Sequence, residues 1–212
     1  MPPTIDRFVM SAYQSNCYVV RAERGAAEAV VIDPGDDPSN LRLELARMGA
    51  QTAGILVTHS DVDHVAGVAA LAAGTGAEVW APAGELDALS RGETRGGARV
   101  APHEAEHAVA DGDAITVAGL TFETVAVPGH SAGHVAFVVD GAIFSGDLLF
   151  SGSVGRVDLP GGDWETLLAS VRRLLDRYGR DAVVYPGHGP ETTLGREVDT
   201  NPFLGELRAA AR

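Results

Sequence analysis

The sequence predicts a mixed α/β fold, and three observations carry that expectation. Short β-branched or apolar runs at residues 29–32, 55–58, 78–81 and 182–185 have the length and composition of buried strands. Between them stand stretches of helical period, one with Leu41, Leu45 and Met48 on a face and another with Trp164, Leu167, Leu168, Val171, Leu174, Leu175 and Tyr178. Several strand-like runs then stop at a histidine or an aspartate, commonly behind a Pro-Gly or Ser-Gly turn. The unit is strand, turn, helix, with chemistry at the strand ends.

The elements follow in order. Residues 5–9 and 17–20 read as a strand pair, and 29–32 as a buried strand ending in the turn Asp33-Pro34-Gly35. The first helix ends near Gly49, and the strand at 55–58 stops at His59. Val65, Val68, Ala69, Leu71 and Ala72 make a short helix closed by Gly74 and Gly76, followed by the strand at 78–81. Residues 91–106, rich in Arg, Gly and Glu, have no period and read as an exposed loop, with His103 and His107 as surface residues. Strands at 115–117, 120–127, 135–139 and 142–144 follow, the last two joined by the hairpin turn Asp140-Gly141. Asp163 is placed to N-cap the Trp164 helix, the strand at 182–185 stops at Pro186-Gly187-His188-Gly189, and residues 201–212 close the chain as a short helix.

With 212 residues, 45% of them hydrophobic, the chain can bury a core as one compact domain over 1–212, two fused halves being the alternative. No run approaches the roughly 20 apolar residues of a membrane span, and the start MPPTIDRF lacks the basic and apolar regions of a signal peptide. A cytoplasmic enzyme is expected. The net charge of −13 opposes nucleic-acid binding. Cys17 is the single cysteine, so no intrachain disulfide can form and the residue is expected to pack. All 16 Lys+Arg residues are arginine, which removes Schiff-base chemistry at a lysine. Nothing here sets an oligomeric state.

The densest chemistry lies in residues 54–67, where His59, Asp61, Asp63 and His64 crowd the end of one strand. Imidazoles and carboxylates packed this closely shift one another's pKa values unless a cation sits among them, and a divalent metal is the usual solution. The bland alternative is a polar loop in which Ser60 or Asp61 caps the next helix. His130, Asp147 and His188 follow other strands in the same manner, giving seven ligand-type residues, a number that fits two metals better than one. His134 is expected to pack beside His130 rather than ligate. Arg156 either binds an anionic end of a substrate or ties down its own loop through Asp158.

The motifs HSDVDH, PGHSAGH, SGD and PGHG, in this order, resemble the metallo-β-lactamase superfamily. The runs FSGSVGRVDLPGGDWETLL and YPGHGPETTLGREVDTNPFL are similar to its short glyoxalase II-like hydrolases. That resemblance implies a four-layer αββα sandwich. It also implies one metal on His59, residue 61, His130 and Asp147 and a second on Asp63, His64, Asp147 and His188, with Asp147 bridging. The ions would be two divalent metals, zinc first, with manganese or iron as alternatives. A metal-bound hydroxide would cleave an acyl bond, a thioester first, of a small-molecule substrate, with Asp63 orienting the nucleophile. No nucleic acid or membrane partner is implied.

The family pattern His-x-His-x-Asp-His is broken at its second histidine, where this chain has Asp61. A carboxylate can reach the same coordination point, lowers the charge of the centre and favours harder ions; a one-metal enzyme using the unaltered half is the other option. S-Lactoylglutathione is a candidate substrate, although the aromatic residues, the tyrosine and the C-terminal helical extension that hold glutathione in glyoxalase II have no counterpart here. Three alternatives stay open: a mononuclear iron persulfide dioxygenase using His59, His130 and Asp147; a non-catalytic metal-binding module; and a lactonase or β-lactamase-type hydrolase, with residues 91–106 deciding among pockets.

Overall fold

The structure, a computed structural model, describes residues 2–36 and 38–210. The N-terminal half builds one six-stranded sheet. Strands β1 (Thr4–Met10) and β2 (Ser15–Arg21) pair antiparallel, and β3 (Glu28–Ile32) runs antiparallel to β2. After helix α1 (Pro38–Arg47) comes β4 (Gln51–Leu56), then α2 (Val62–Val65) and α3 (Val68–Thr75) lead to β5 (Glu78–Pro82), and α4 (Leu86–Arg91) leads to β6 (His107–Val109). Strands β3 to β6 are parallel, so each connection must cross over a face of the sheet, which is where the helices lie.

The second half repeats the scheme with different connections. Strands β7 (Ala114–Val117), β8 (Leu120–Ala126), β9 (Val135–Val139) and β10 (Ala142–Gly146) form an antiparallel meander. A small hairpin, β11 (Leu149–Phe150) and β12 (Ser153–Val154), follows; then helix α5 (Trp164–Tyr178) returns the chain to β13 (Val183–Pro186), parallel to β10, with β14 (Thr192–Thr193) at the edge. The second sheet therefore has the order β14-β13-β10-β9-β8-β7. Helix α6 (Leu194–Thr200), a 3₁₀ turn at Pro202–Leu204 and α7 (Gly205–Ala210) close the described chain.

Strand periodicity explains how two sheets and two helical layers pack together through three apolar layers. In β2 every residue is buried: Cys17 and Val19 face the helices, whereas Tyr18 and Val20 face the other sheet. The outer face of the first sheet packs on Leu41 and Leu45 of α1, Val65 of α2 and Val68 and Leu71 of α3. The outer face of the second packs on Leu167, Leu168, Val171 and Leu174 of α5. Between the sheets, Tyr18, Val30, Ile32 and Leu56 meet Phe122, Phe137 and Phe144. Burying each such large side chain contributes roughly 1.5–3 kcal/mol. The four-layer αββα sandwich implied by the resemblance is the fold.

The Asp163 cap holds as expected, its carboxylate accepting from the Thr166 backbone N–H at 2.8 Å. Two expectations need correction. Residues 91–106 are not simply an exposed loop: α4 ends at Arg91, a tight turn follows, and Thr94 is buried. This segment is held by ion pairs and backbone turns, so it shows no apolar period. His107 lies in β6, half exposed, stacked on Trp80 at 4.5 Å and paired with Glu78 at 2.8 Å. Near the chain end, α6 precedes the expected helix, Asn201 caps the 3₁₀ turn through the Phe203 N–H, and residues 211–212 lie outside the described residues. Among the described residues no helix is long and apolar enough to cross a membrane.

Candidate metal centre

His59, His130, Asp147 and His188 stand just beyond the ends of β4, β8, β10 and β13, so the two sheets deliver them to one edge of the sandwich. Asp61, Asp63 and His64 come from the turn into α2. All seven candidate ligands are brought together there, in or beneath a cleft of about 350 Å³ lined by Asp61, Asp63, His130, Asp147, Arg156 and His188 among others. The approach is close enough to require glycine at position 187, where an added Cβ would lie 2.0 Å from Asp147 Oδ1 and 2.8 Å from His64 Cε1.

Asp33, at the end of β3, orients the histidines. Its carboxylate accepts from the Thr58 backbone N–H at 2.8 Å, from Thr58 Oγ1 at 2.6 Å and from His64 Nδ1 at 3.0 Å. Because Thr58 gives its hydroxyl proton to Asp33, its oxygen accepts from His59 Nδ1 at 2.9 Å. Both imidazoles thus carry their proton on Nδ1 and present an Nε2 lone pair to the centre. Each of these Nε2 atoms is buried without a hydrogen-bond partner. His59 is kept neutral by burial, reinforced by neighbouring His64 and His134.

The four residues Asp63, His64, Asp147 and His188 form one open set. Nε2 of His188 lies 3.1 Å from Asp63 Oδ2 and 3.5 Å from Asp147 Oδ2, and Nε2 of His64 lies 3.2 Å from Asp147 Oδ1, itself a buried oxygen with no hydrogen-bond donor. Lone pairs facing one another at these distances need a positive charge between them. The electrostatics agree: burial alone would depress His64 and His188, but Asp147 with Asp33 raises His64 well above the usual imidazole range, and Asp147 with Asp63 raises His188 to about 9. Burial would raise Asp147, but His64 and His188 hold it well below the usual carboxylate range. Donor type, spacing and orphaned lone pairs fit a divalent metal ion.

The other set contains a cation of the protein's own. Asp61 sits at the N-cap of α2 but makes no capping bond. It is instead gripped by Arg95, whose Nε donates to Asp61 Oδ1 at 2.6 Å and whose Nη2 donates to Oδ2 at 2.8 Å. The same Nη2 lies 2.5 Å from His130 Nε2, and Nη1 donates to the His130 carbonyl. Since His130 Nδ1 donates to the Arg156 carbonyl at 2.8 Å, its Nε2 is the acceptor. Burial would raise the Asp61 carboxyl, but the Arg95 guanidinium paired with it holds it far below the usual range.

Arg95, Asp33 and Glu85 were not among the residues the sequence singled out. Glu85 accepts from Ser131 Oγ at 2.5 Å and from Ser60 Oγ, tying the His59 and His130 loops together. Asp33 shares the signal of the ligands, an aspartate ending an apolar strand; Arg95 and Glu85 have none. Arg156 stands exposed at the cleft rim, bidentate to Asp158 at 2.7 Å on both bonds, while its backbone orients His130. His134 is buried against His59 and His130 with neither ring nitrogen hydrogen-bonded. Cys17 is fully buried in the core.

Comparison with known proteins agrees with this geometry. Residues 10–188 match the family model described as Metallo-beta-lactamase superfamily. The hydroxyacylglutathione hydrolase GloC of Haemophilus influenzae is 31% identical over 94% of this chain and 97% of its own. Among solved structures, the B3 metallo-beta-lactamase BLEG-1 superimposes with a TM-score of 0.88 at 33% identity, covering 95% of this chain and 100% of that one. TTHA1623, solved in a di-iron-bound form, gives 0.82 at 39% identity over 94% and 100%. By fold, by the order of its ligand residues and by sequence over most of its length, the chain belongs to the metallo-β-lactamase superfamily.

Proposed function

We propose that this protein is a metal-dependent hydrolase of a small-molecule acyl substrate, a thioester above all. The observation that carries the reading is the open set of Asp63, His64, Asp147 and His188, with buried, unshared lone pairs facing a cleft. These four residues would hold a divalent ion, which when bound supplies Lewis acidity toward an acyl carbonyl and lowers the pKa of water. Asp63, at the cleft and next to His188, would orient the attacking water through its carboxylate. Asp33 fixes the tautomer of His64, and the buried floor of Thr58, His59 and His134 keeps solvent from beneath the centre. Arg156, free to exchange Asp158 for a substrate carboxylate, gives the rim a positive charge for an anionic acyl compound such as S-lactoylglutathione. The likeness to GloC over nearly the full length supports a hydroxyacyl thioester as the first substrate to try.

The persulfide dioxygenase alternative needs one iron on His59, His130 and Asp147. It is disfavoured by Arg95, which occupies the His130 Nε2 lone pair such an iron would use. Turnover should be measured on a panel of thioesters, S-lactoylglutathione included, with metal-supplemented wild type and with Asp63→Ala and Asp147→Ala. Loss of turnover in both variants at unchanged circular dichroism is expected; activity retained in either removes that residue from the mechanism, and no thioester turnover by wild type overturns the substrate class.

A further inference from the structure

The family's two-ion arrangement and this chain's first ligand set disagree at one residue. The spacing of that set is not the obstacle: Asp61 Oδ2 lies 3.8 Å from His59 Nε2 and 3.2 Å from His130 Nε2, near the roughly 3.3 Å separation of ligands around a tetrahedral ion with bonds of about 2.0–2.1 Å. What differs is that two of its lone pairs are in use, that of His59 Nε2 alone being unshared. Arg95 Nη2 is within 2.8 Å of Asp61 Oδ2 and 2.5 Å of His130 Nε2, two of the atoms an ion there would need.

We propose that Arg95 is the cation of the first position: its guanidinium stands in for one of the two metal ions, and the chain binds a single divalent ion at Asp63, His64, Asp147 and His188. The placement of Arg95 is built into the loop. Thr94 closes a tight turn with its N–H and its hydroxyl both on the Ala98 carbonyl, at 3.0 and 3.1 Å, and Gly97 N–H returns to the Thr94 carbonyl at 2.9 Å. That turn drives the Arg95 side chain inward until it is 9% exposed, beside Asp61 at 14%. A planar guanidinium making two parallel bonds to a carboxylate is the strongest arrangement an arginine has.

Charge points the same way. Three carboxylates face the centre, those of Asp61, Asp63 and Asp147, and one guanidinium with one divalent ion balances them. A second ion would have to enter against Arg95 and displace it from a partly buried pair, leaving the arginine without its acceptor. The aspartate at position 61 then has its own reason: a neutral histidine there would offer Arg95 one acceptor atom and no charge, whereas a carboxylate offers two and a full negative charge. Asp61 and Arg95 are in this sense one replacement made with two residues. The inference rests on reading the second set as a divalent-ion site, but not on the substrate.

The test is metal content, independent of activity. Wild type and Arg95→Met, both folded by circular dichroism, are stripped, equilibrated with excess Mn²⁺, freed of unbound ion by gel filtration and analysed by elemental mass spectrometry and electron paramagnetic resonance. Wild type should hold one Mn²⁺ per chain with an isolated-ion spectrum; Arg95→Met, with Asp61 released, should gain a second ion and show exchange coupling between the two. Two ions in wild type, or one ion retained in the variant, overturn the role given to Arg95. Two ions in wild type together with thioester turnover would sink this inference and leave the proposed function standing, whereas no ion in either protein would sink both. Should Arg95→Met fail to fold, Arg95→Gln, which keeps the stem and a polar head, takes its place.

Discussion

Replacing one carboxylate oxygen of Asp33 by an amide NH₂ should weaken metal binding without touching a ligand. Asp33 Oδ1 accepts from the Thr58 backbone N–H, a donor that cannot turn away, so in Asp33→Asn the amide oxygen must take that position. The NH₂ group then falls where Oδ2 was, facing the Thr58 hydroxyl and His64 Nδ1, two groups that now donate to it at 2.6 and 3.0 Å. The hydroxyl can rotate. The imidazole, wedged in the core with no exposure, can relieve the clash of donors only by moving its proton from Nδ1 to Nε2. That removes the lone pair the second ligand set presents to an ion.

The magnitude follows from what is lost. Disrupting the partner that orients a ligating histidine costs on the order of 10–100-fold in metal affinity, or about 1.4–2.7 kcal/mol at 1.36 kcal/mol per decade. Folding should lose about 2–4 kcal/mol as two charge-assisted hydrogen bonds are replaced by weaker ones. The backbone is not a confounder: Asp33 has φ of +52°, a conformation asparagine accepts as readily as aspartate. Calorimetric titration of metal-free protein with Mn²⁺ gives the affinity, and ¹⁵N-edited spectra of the imidazole region give the tautomer. Wild-type affinity in Asp33→Asn, or a His64 that keeps its Nδ1 proton, would refute the chain of reasoning from Asp33 to the metal.

Other consequences follow from the same contacts. Glu85→Ala removes the acceptor shared by Ser60 and Ser131 and should lower stability by about 2–4 kcal/mol; an unchanged urea midpoint would show that the two loops do not depend on it. In Gly187→Ala the new methyl would stand 2.0 Å from Asp147 Oδ1, so Mn²⁺ affinity should fall at least about tenfold. A calorimetric titration indistinguishable from wild type would mean the backbone gives way there. Cys17 has no exposed surface, and burial, with Asp33 adding, pushes its thiol well above the ordinary range. Its reaction with a thiol reagent at pH 8 should therefore wait for unfolding and track the urea transition, and rapid labelling of the native protein would contradict its placement.

The fold was legible where one physical signal dominated. The β-branched runs at 29–32 and 135–139 became β3 and β9 because fully buried strands need continuous apolar surface, and α5 declared itself through a single apolar stripe and a capping aspartate. The short elements were not legible. Strands β11, β12 and β14 have two residues each, too few for any period, and α6 is specified by tertiary contacts such as Glu197, whose buried carboxylate accepts from Thr192 Oγ1, the Gly152 N–H and Asn201 Nδ2. Polar groups of that kind specify structure through partners far along the chain.

The same distinction runs through the site. The spacing His59, Asp61, Asp63, His64 could be read because those residues share one turn, and His130, Asp147 and His188 because each ends a strand at the same edge. Asp61 could be recognised as a departure from the family pattern, yet its consequence could not, because the partner that gives it meaning lies 34 residues away in a segment without periodicity. Read alone, Asp61 is a hard ligand that changes the metal. Beside Arg95 it is half of an ion pair that holds the metal's place, since the carboxylate and His130 direct at a guanidinium the same lone pairs they would direct at an ion. A loop with many arginines offered no reason to choose this one. Only the turn from Thr94 to Ala98, which aims it inward, distinguishes Arg95 from its exposed neighbours Arg91 and Arg99.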